Sequence, residues 1–344
     1  MSQYLRDMIT YSDISSAYLL VSELDIVVFS ASSSLELVVA DANGSTVISC
    51  SYVPVDGVVK VYDLDRLLSP LIDGVMADFT FTVGGSSQTL HIIQSRTRVS
   101  MPANDFLDSH FLSSVISGRD TTINRKEMVT LLSTTEAVNV TAACVYANGG
   151  MCVLQSVQLA SALAAGQVHE VDCSPSLLVN DALGELVQYT INAGQRVMTF
   201  RVSPTQTHRL AMLMRNDFGA WEPCYFVGMT EVSPEISREF VQIGGVSRPQ
   251  SIDEQENFKS YTGPLRPGEV QLFRSLARSA DIVLLENGAG TDGVVISGQD
   301  IKYTDEDGHL PSMTFTWHRA SRLSLMKVPV IPRLFDDTFD DTFN

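Results

Sequence analysis

The sequence predicts a mostly-β protein, with tandem β-sandwich-like modules followed by a β-rich domain carrying one principal helix. Three observations predict it. Short runs alternate between apolar and polar residues, turn dipeptides separate the runs, and a faint internal repeat spans the first two thirds of the chain. Period-two alternation sends one set of side chains to a core face and the other to solvent.

The alternation is plainest in three places. Ala77, Phe79, Phe81 and Val83 interleave with Asp78, Thr80 and Thr82; Val187, Tyr189 and Ile191 with Gln188 and Thr190; Met313, Phe315 and Trp317 with Ser312, Thr314 and Thr316. Turns are marked by Asn43-Gly44, Gly84-Gly85, Asn148-Gly149 and Ala193-Gly194, residue types that accept the positive φ of tight hairpins. Many strands with regular turns point to sandwiches or barrels.

The repeat relates residues 34–94 to residues 137–203. Each copy reads strand, Ala-Asn-Gly or its like, strand, then a short motif with a pair of leucines, then a closing hairpin. Ala42-Asn43-Gly44 answers Ala147-Asn148-Gly149. Val61-Tyr62-Asp63-Leu64 with Leu67-Leu68 answers Glu170-Val171-Asp172-Cys173 with Leu177-Leu178. Two similar sandwiches in tandem explain the pattern, and so does the hairpin punctuation that any two sandwiches share.

The expected organisation is a first module over 1–103, a connector over 104–124 and a second module over 125–203. A β-rich domain follows over 204–322, with a helix near 268–278 opened by Pro267. Residues 323–344 form an acidic tail. In the connector, Phe106, Leu107, Phe111, Leu112 and Val115 predict a short amphipathic helix.

Composition narrows function. Charged residues are 18% of the 344, against roughly 25% in an average soluble domain, which fits a surface partly covered by neighbours. A net charge of -17 argues against nucleic acid, because phosphate contacts need Lys and Arg. It also argues against an anionic membrane surface. No apolar run reaches the roughly 18 residues of a membrane helix, and the first residues, Met1 to Asp7, lack the pattern of a secretory signal. The five cysteines, Cys50, Cys144, Cys152, Cys173 and Cys224, are scattered without a C-x-x-C pair. Reduced thiols acting as small core side chains are expected.

Motif chemistry is sparse. Gly288-Ala289-Gly290-Thr291-Asp292-Gly293 fits a dinucleotide fingerprint, yet Val294-Val295-Ile296-Ser297 after it reads as strand where a helix is required. A glycine-rich hairpin is expected. Asp305-Glu306-Asp307-Gly308 lacks the spacing of a calcium loop and reads as a hairpin tip. The six histidines are isolated, and Asp108-Ser109-His110 holds triad residue types without triad geometry. No catalytic, cofactor or metal residues are assigned, no cofactor is expected, and the chain is expected not to be an enzyme. Paired carboxylates as in a carbohydrate hydrolase would meet only in space.

The segment Arg209 to Glu222 runs an apolar strand into Asn216, Gly219 and Glu222, spaced Asn-x-x-Gly-x-x-Glu, and out into another strand. After it come Tyr261-Thr262-Gly263-Pro264-Leu265, a helix ending near Arg278-Ser279 and a strand from Ser312 to Arg319. This order resembles structural proteins, of tail and baseplate type, from phages and prophages of Bacteroidetes hosts. The resemblance is sharpest over 205–320 and extends to the Val59 to Leu64 stretch. Arg215 departs from it, standing where an apolar or aromatic residue is expected. The signature also has a structural reading, with Asn216 and Gly219 shaping a turn and Glu222 accepting backbone hydrogen bonds.

The resemblance implies a virion part made in the bacterial host cytoplasm. Its partners would be other copies of itself, in a ring-like homo-oligomer, and other virion proteins. Terminal arms tie such rings together, and the tail with Phe335, Phe339 and Phe343 is a candidate partner-docking arm. The alternative is a glycan- or receptor-binding β-sandwich adhesin, for which Trp221 is the residue to inspect; Trp317, on the apolar side of its strand, is expected in the core.

Overall fold

Alternating sequence becomes strand where one side-chain set finds an apolar partner layer. A computed structural model describes residues 8–10, 17–116, 118–204, 208–243, 246–286, 288–302 and 310–321. The expected acidic tail, with Phe335, Phe339 and Phe343, and the Asp305 to Gly308 segment lie outside these residues.

Module 1 contains β1 (Met8–Thr10), β2 (Tyr18–Leu20), β3 (Ile26–Ser30), β4 (Leu35–Asp41), β5 (Thr46–Tyr52), β6 (Val58–Tyr62), the short α1 (Leu64–Leu68), β7 (Met76–Val83) and β8 (Ser86–Ile93). They form two sheets, ordered β2-β8-β7-β4-β5 and β1-β3-β6. Leu37, Val39, Phe79, Phe81, Leu90 and Ile92 from the larger sheet meet Val27, Phe29, Val59 and Val61 from the smaller. α1 adds Leu64 and Leu68 to the same core.

The connector begins with α2 (Ala103–Ser109), which buries Phe106 and Leu107. The expected amphipathic helix is therefore shorter than its apolar spacing implied. Phe111, Leu112 and Val115 lie beyond it, and each enters a different core: module 2, a central cluster and the C-terminal domain respectively.

Module 2 contains β9 (Gly118–Thr121), β10 (Met128–Leu132), β11 (Val138–Asn148), β12 (Met151–Leu163), β13 (Val168–Asp172), β14 (Glu185–Ala193) and β15 (Arg196–Val202). Its sheets are β12-β11-β14-β15-β9 and β10-β13. Because β9 belongs to the larger sheet, the module's sheet starts at Gly118, inside the segment expected to be connector. A polar four-residue strand carries no legible alternation; parallel pairing with β15 defines it.

The two modules share one topology. β9-β15-β14-β11-β12 repeats β2-β8-β7-β4-β5 strand for strand. The first pair is parallel in both, and the others antiparallel. A short helical turn follows β6 in one and β13, at Pro175–Leu177, in the other. The matched turn motifs in the sequence thus occupy equivalent places in two equivalent sandwiches.

The C-terminal domain contains β16 (Leu210–Arg215), β17 (Trp221–Phe226), β18 (Thr230–Ile243), β19 (Val246–Tyr261), α3 (Pro267–Arg278), β20 (Ile282–Glu286), β21 (Ala289–Lys302) and β22 (Ser312–Arg319). One seven-stranded sheet runs β17-β16-β20-β21-β22-β19-β18. α3 packs Leu272, Phe273 and Leu276 against Met212, Phe226, Phe315 and Trp317. The glycine-rich stretch at 288–293 is the β20–β21 hairpin, as its following strand predicted.

The β18–β19 hairpin was not legible as strand. β22 pairs only with Asn257 to Tyr261 of β19, so most of the hairpin projects as a two-stranded ribbon. Both surfaces face solvent: on β18, Pro234 and Arg238 interrupt the apolar face of Val232, Ile236 and Phe240, and β19 is mostly polar, so no buried-strand pattern is plain.

Phe315 is fully buried, with its ring 5.7 Å from that of Phe226 and 6.0 Å from that of Phe273. Phe315→Ala is expected to cost about 3–5 kcal/mol, read as a lowered midpoint in denaturant. Val55→Ala, 73% exposed, is expected to change stability by less than about 0.5 kcal/mol.

Candidate functional site

The signature residues meet at the junction of all three β-units. The β16–β17 turn, Asn216 to Gly219, is buried, which is unusual because loop backbone must be satisfied without water. Asn216 supplies part of that satisfaction. Its Oδ1 accepts from the backbone N–H groups of Phe218 (2.9 Å) and Ala220 (3.1 Å). Its Nδ2 donates to the Leu112 carbonyl (2.9 Å) and to Glu222 Oε2 (2.8 Å).

Gly219 is required by both conformation and space. Its φ is +74°, and a Cβ there would lie 1.9 Å from the Gly74 carbonyl oxygen in module 1. The turn therefore rests directly on module 1 backbone.

Glu222 gathers the other side of the junction. It accepts from Ser113 Oγ (2.5 Å) and the Ser114 N–H (2.9 Å) in the connector, as well as from Asn216. Arg119, on β9, lies between two carboxylates, with Nη2 2.6 Å from Glu127 Oε2 and Nη1 3.4 Å from Glu222 Oε1. Thr121 Oγ1 donates to Glu127 Oε1 at 2.8 Å. All three charged side chains are buried. Burial pushes the Glu127 carboxyl above the usual range, against the pull of Arg119. For Arg119 the two carboxylates outweigh burial and hold the guanidinium charged.

Asp217 completes the junction. Its carboxylate accepts from Thr97 Oγ1 (3.0 Å), Gln271 Nε2 (3.3 Å) and the Arg278 guanidinium, and its carbonyl accepts from the Arg96 N–H (2.9 Å). One turn thus joins the end of module 1 to α3. Phe218 fills the central cluster with Leu20, Val75, Ile93, Leu107 and Leu132, its ring 5.1 Å from that of Phe106. Sequence reading singled out Asn216, Gly219 and Glu222; it missed Ser113, Arg119, Glu127 and Asp217, whose roles depend on units distant in the chain.

Arg215, the departure from the family-like pattern, also has a place. Its guanidinium lies 4.9 Å from the centre of the Trp221 ring and reaches Asp281 at 3.5 Å and Asp73 at 3.7 Å. A cation covers one face of the ring. Trp317 is in the core, stacked on Phe258 and donating to Ser260 Oγ at 2.9 Å.

The other motifs resolve as follows. Ser109 Oγ lies 2.7 Å from His110 Nδ1, while Asp108 binds Thr134 and Arg196 and stays out of a relay. Cys144, Cys173 and Cys224 are buried, but Cys50 and Cys152 are exposed, correcting the expectation that the cysteines are core residues. Burial pushes the Cys173 and Cys224 thiols well up. Asp25, Asp63 and Asp65 bring carboxylate oxygens within 4.8 Å of one another, with Arg98 on Asp25 at 2.6 Å and Arg66 on Asp63 at 3.5 Å.

An open cleft of about 610 Å³ lies where module 2 meets the start of the C-terminal domain, lined by Asn124, Asp181, Glu185, Leu186 and His208 among others. Among the described residues, its lining includes neither Trp, Tyr nor Phe. Burial, with Arg125 nearby, holds the His208 imidazole below its ordinary range.

Arg119→Ala is expected to cost about 3–5 kcal/mol, because it leaves two buried carboxylates without their counter-charge. Gly219→Ala is expected to cost more than about 3 kcal/mol, combining a left-handed backbone with a clash. Gly44→Ala, at φ +80° with nothing within 4 Å, is expected to cost about 1 kcal/mol. Chemical denaturation measures all three. His208 is expected to titrate below about 6.5 by NMR. Its depressed folded pKa means the unfolded chain binds the proton first, so its contribution is lost as pH falls from about 6.5 through the folded value. His208→Gln should flatten that part of the stability–pH curve.

The chain matches no family model and no curated protein. Among solved structures, a crystal structure of a Salmonella alpha-2-macroglobulin mutant is similar over 85% of this chain and 18% of that one, at 12% identity and a TM-score of 0.19. A likeness at that score carries no argument about fold or function. No helix among the described residues is long and apolar enough to cross a membrane.

Proposed function

We propose that this chain is a virion structural protein, of phage tail or baseplate type, that works through protein–protein interfaces in a homo-oligomeric assembly. The reading rests on the resemblance carried by Asn216, Gly219 and Glu222 and on one observation above the others. The β18–β19 ribbon extends from the body with Val232, Ile236, Phe240 and Val246 each more than half exposed. An isolated two-stranded hairpin is marginal in water, and clustered exposed apolar side chains mark interaction sites. A rigid junction supports the same reading, since buried charge pairs and a buried turn hold the three β-units as one block.

In this reading the partners are copies of the chain and other virion proteins, and the protein is made in a bacterial host's cytoplasm. The tail with Phe335, Phe339 and Phe343 is proposed as a docking arm. No catalytic step is assigned: Glu127 and Glu222 are both buried against Arg119 and neither lines the cleft at His208. A glycan- or receptor-binding role has the cleft at His208 in its favour, but among the described residues its lining includes neither Trp, Tyr nor Phe, the rings that sugars stack on.

The test is native mass by light scattering over a concentration series, with negative-stain images of the same sample. A closed ring or a concentration-driven oligomer is expected. A strict monomer that binds on a glycan array would overturn the assembly reading in favour of the adhesin. Removing residues 330–344 is expected to weaken assembly; an unchanged oligomer would exclude the tail as the arm.

A further inference from the structure

From Met151 to Gln158, β12 is an edge strand with neither charge, proline nor bulge to guard it. Natural edges are blunted by charge, proline, bulges or short length. β12 runs 13 residues at the end of its sheet. Residues 137–168 contain no Asp, Glu, Lys or Arg and no proline. Its pairing with β11 is regular from Met151 to Gln158, and the irregular register lies at the far end. Met151 and Leu154 are 71% and 77% exposed, and Val153, Val157 and Leu159 are only partly buried over the module 2 core. A row of unpaired backbone donors and acceptors beside half-covered apolar side chains is complementary to another extended strand.

The same chain carries such a strand. Among the described residues the outer edge of β18 is unpaired, and the ribbon beyond Ser233 pairs only within itself. Val232, Ile236 and Phe240 share one face, and Glu231, Glu235 and Glu239 the other. The projecting part, residues 233–243, spans about 36 Å, against about 43 Å for β12. Charge favours this pairing between copies. Contacts between chains of net charge -17 are opposed by repulsion, and the acidic ribbon meets no carboxylate along 137–168.

We propose that the ribbon edge β18 of one copy adds to the β12 edge of a second copy, extending the module 2 sheet across the contact and covering Leu154 with the apolar ribbon face. The contact is heterologous, since ribbon and edge are different surfaces, so repetition generates a ring or an open chain of copies. The inference rests on the assembly reading above and names the surfaces that carry it.

The test uses the full chain with two charge insertions at exposed positions, Leu154→Lys and Phe240→Lys, each checked for an unchanged melt. Each variant alone is expected to fall from the wild-type oligomer to a monomer. An equimolar mixture retains one intact edge and one intact ribbon, and is expected to stop at a dimer. Independently, Phe240→Cys in a Cys50→Ser background is expected to cross-link to the exposed Cys152 of a neighbouring copy with a short bis-maleimide. If wild type assembles and both variants assemble equally, or the mixture stays monomeric, or no cross-link forms, the ribbon-to-edge contact is overturned while the assembly reading stands. A monomeric wild type would sink the assembly reading itself, and this inference with it.

Discussion

Arg119 between Glu127 and Glu222 is the interaction on which the rest of the molecule depends. It joins the first strand of module 2 to the C-terminal domain, and Glu222 then holds the connector through Ser113 and Ser114. Such a pair repays its desolvation only if its geometry is good and its other lone pairs are satisfied. Here Thr121, Asn216 and the Ser114 N–H do this for the carboxylates, while Arg119 Nε is buried with no hydrogen-bond partner among the described residues. The adjoining turn seats Gly219 on Gly74 and ties Asp217 to Thr97 and α3. Small displacements of any unit would leave buried charge or backbone without partners, so the arrangement favours one relative placement of the three.

Two equivalent sandwiches on a rigid junction place equivalent edges at repeated positions. β5 and β12 both end the larger sheet of their modules. In module 1 that edge is seven residues long, whereas in module 2 it is 13. Both edges are uncharged, and the longer one is the edge proposed above to take a partner strand. The projecting ribbon is the opposite feature, a pair of strands with no layer beneath it. The chain therefore keeps its stability in the junction and cores and leaves its longest open edges at β12 and β18.

Much of the fold was legible in local sequence. Alternation at Phe79–Phe81, Tyr189–Ile191 and Met313–Trp317 placed these residues in cores, because period two matches the pleat and one face must be dry. Turn glycines marked the hairpins, the helix near 268–278 showed its apolar stripe, and the spaced turn motifs marked two modules that have one topology. The short β9 and the long β18–β19 hairpin were not legible. The first is polar and fixed by a distant partner strand, and the second has an apolar face broken by Pro234 and Arg238 and a mostly polar partner strand.

The sequence by itself determined the β class and the position of the signature turn, since each follows from contacts between near neighbours in the chain. Only the tertiary structure decided what that turn does. Asn216, Gly219 and Glu222 act on Gly74, Leu112, Ser113 and Arg119, residues about 100 or more positions away. Which buried charges find each other across such separations depends on how three cores pack, and no local pattern encodes that packing.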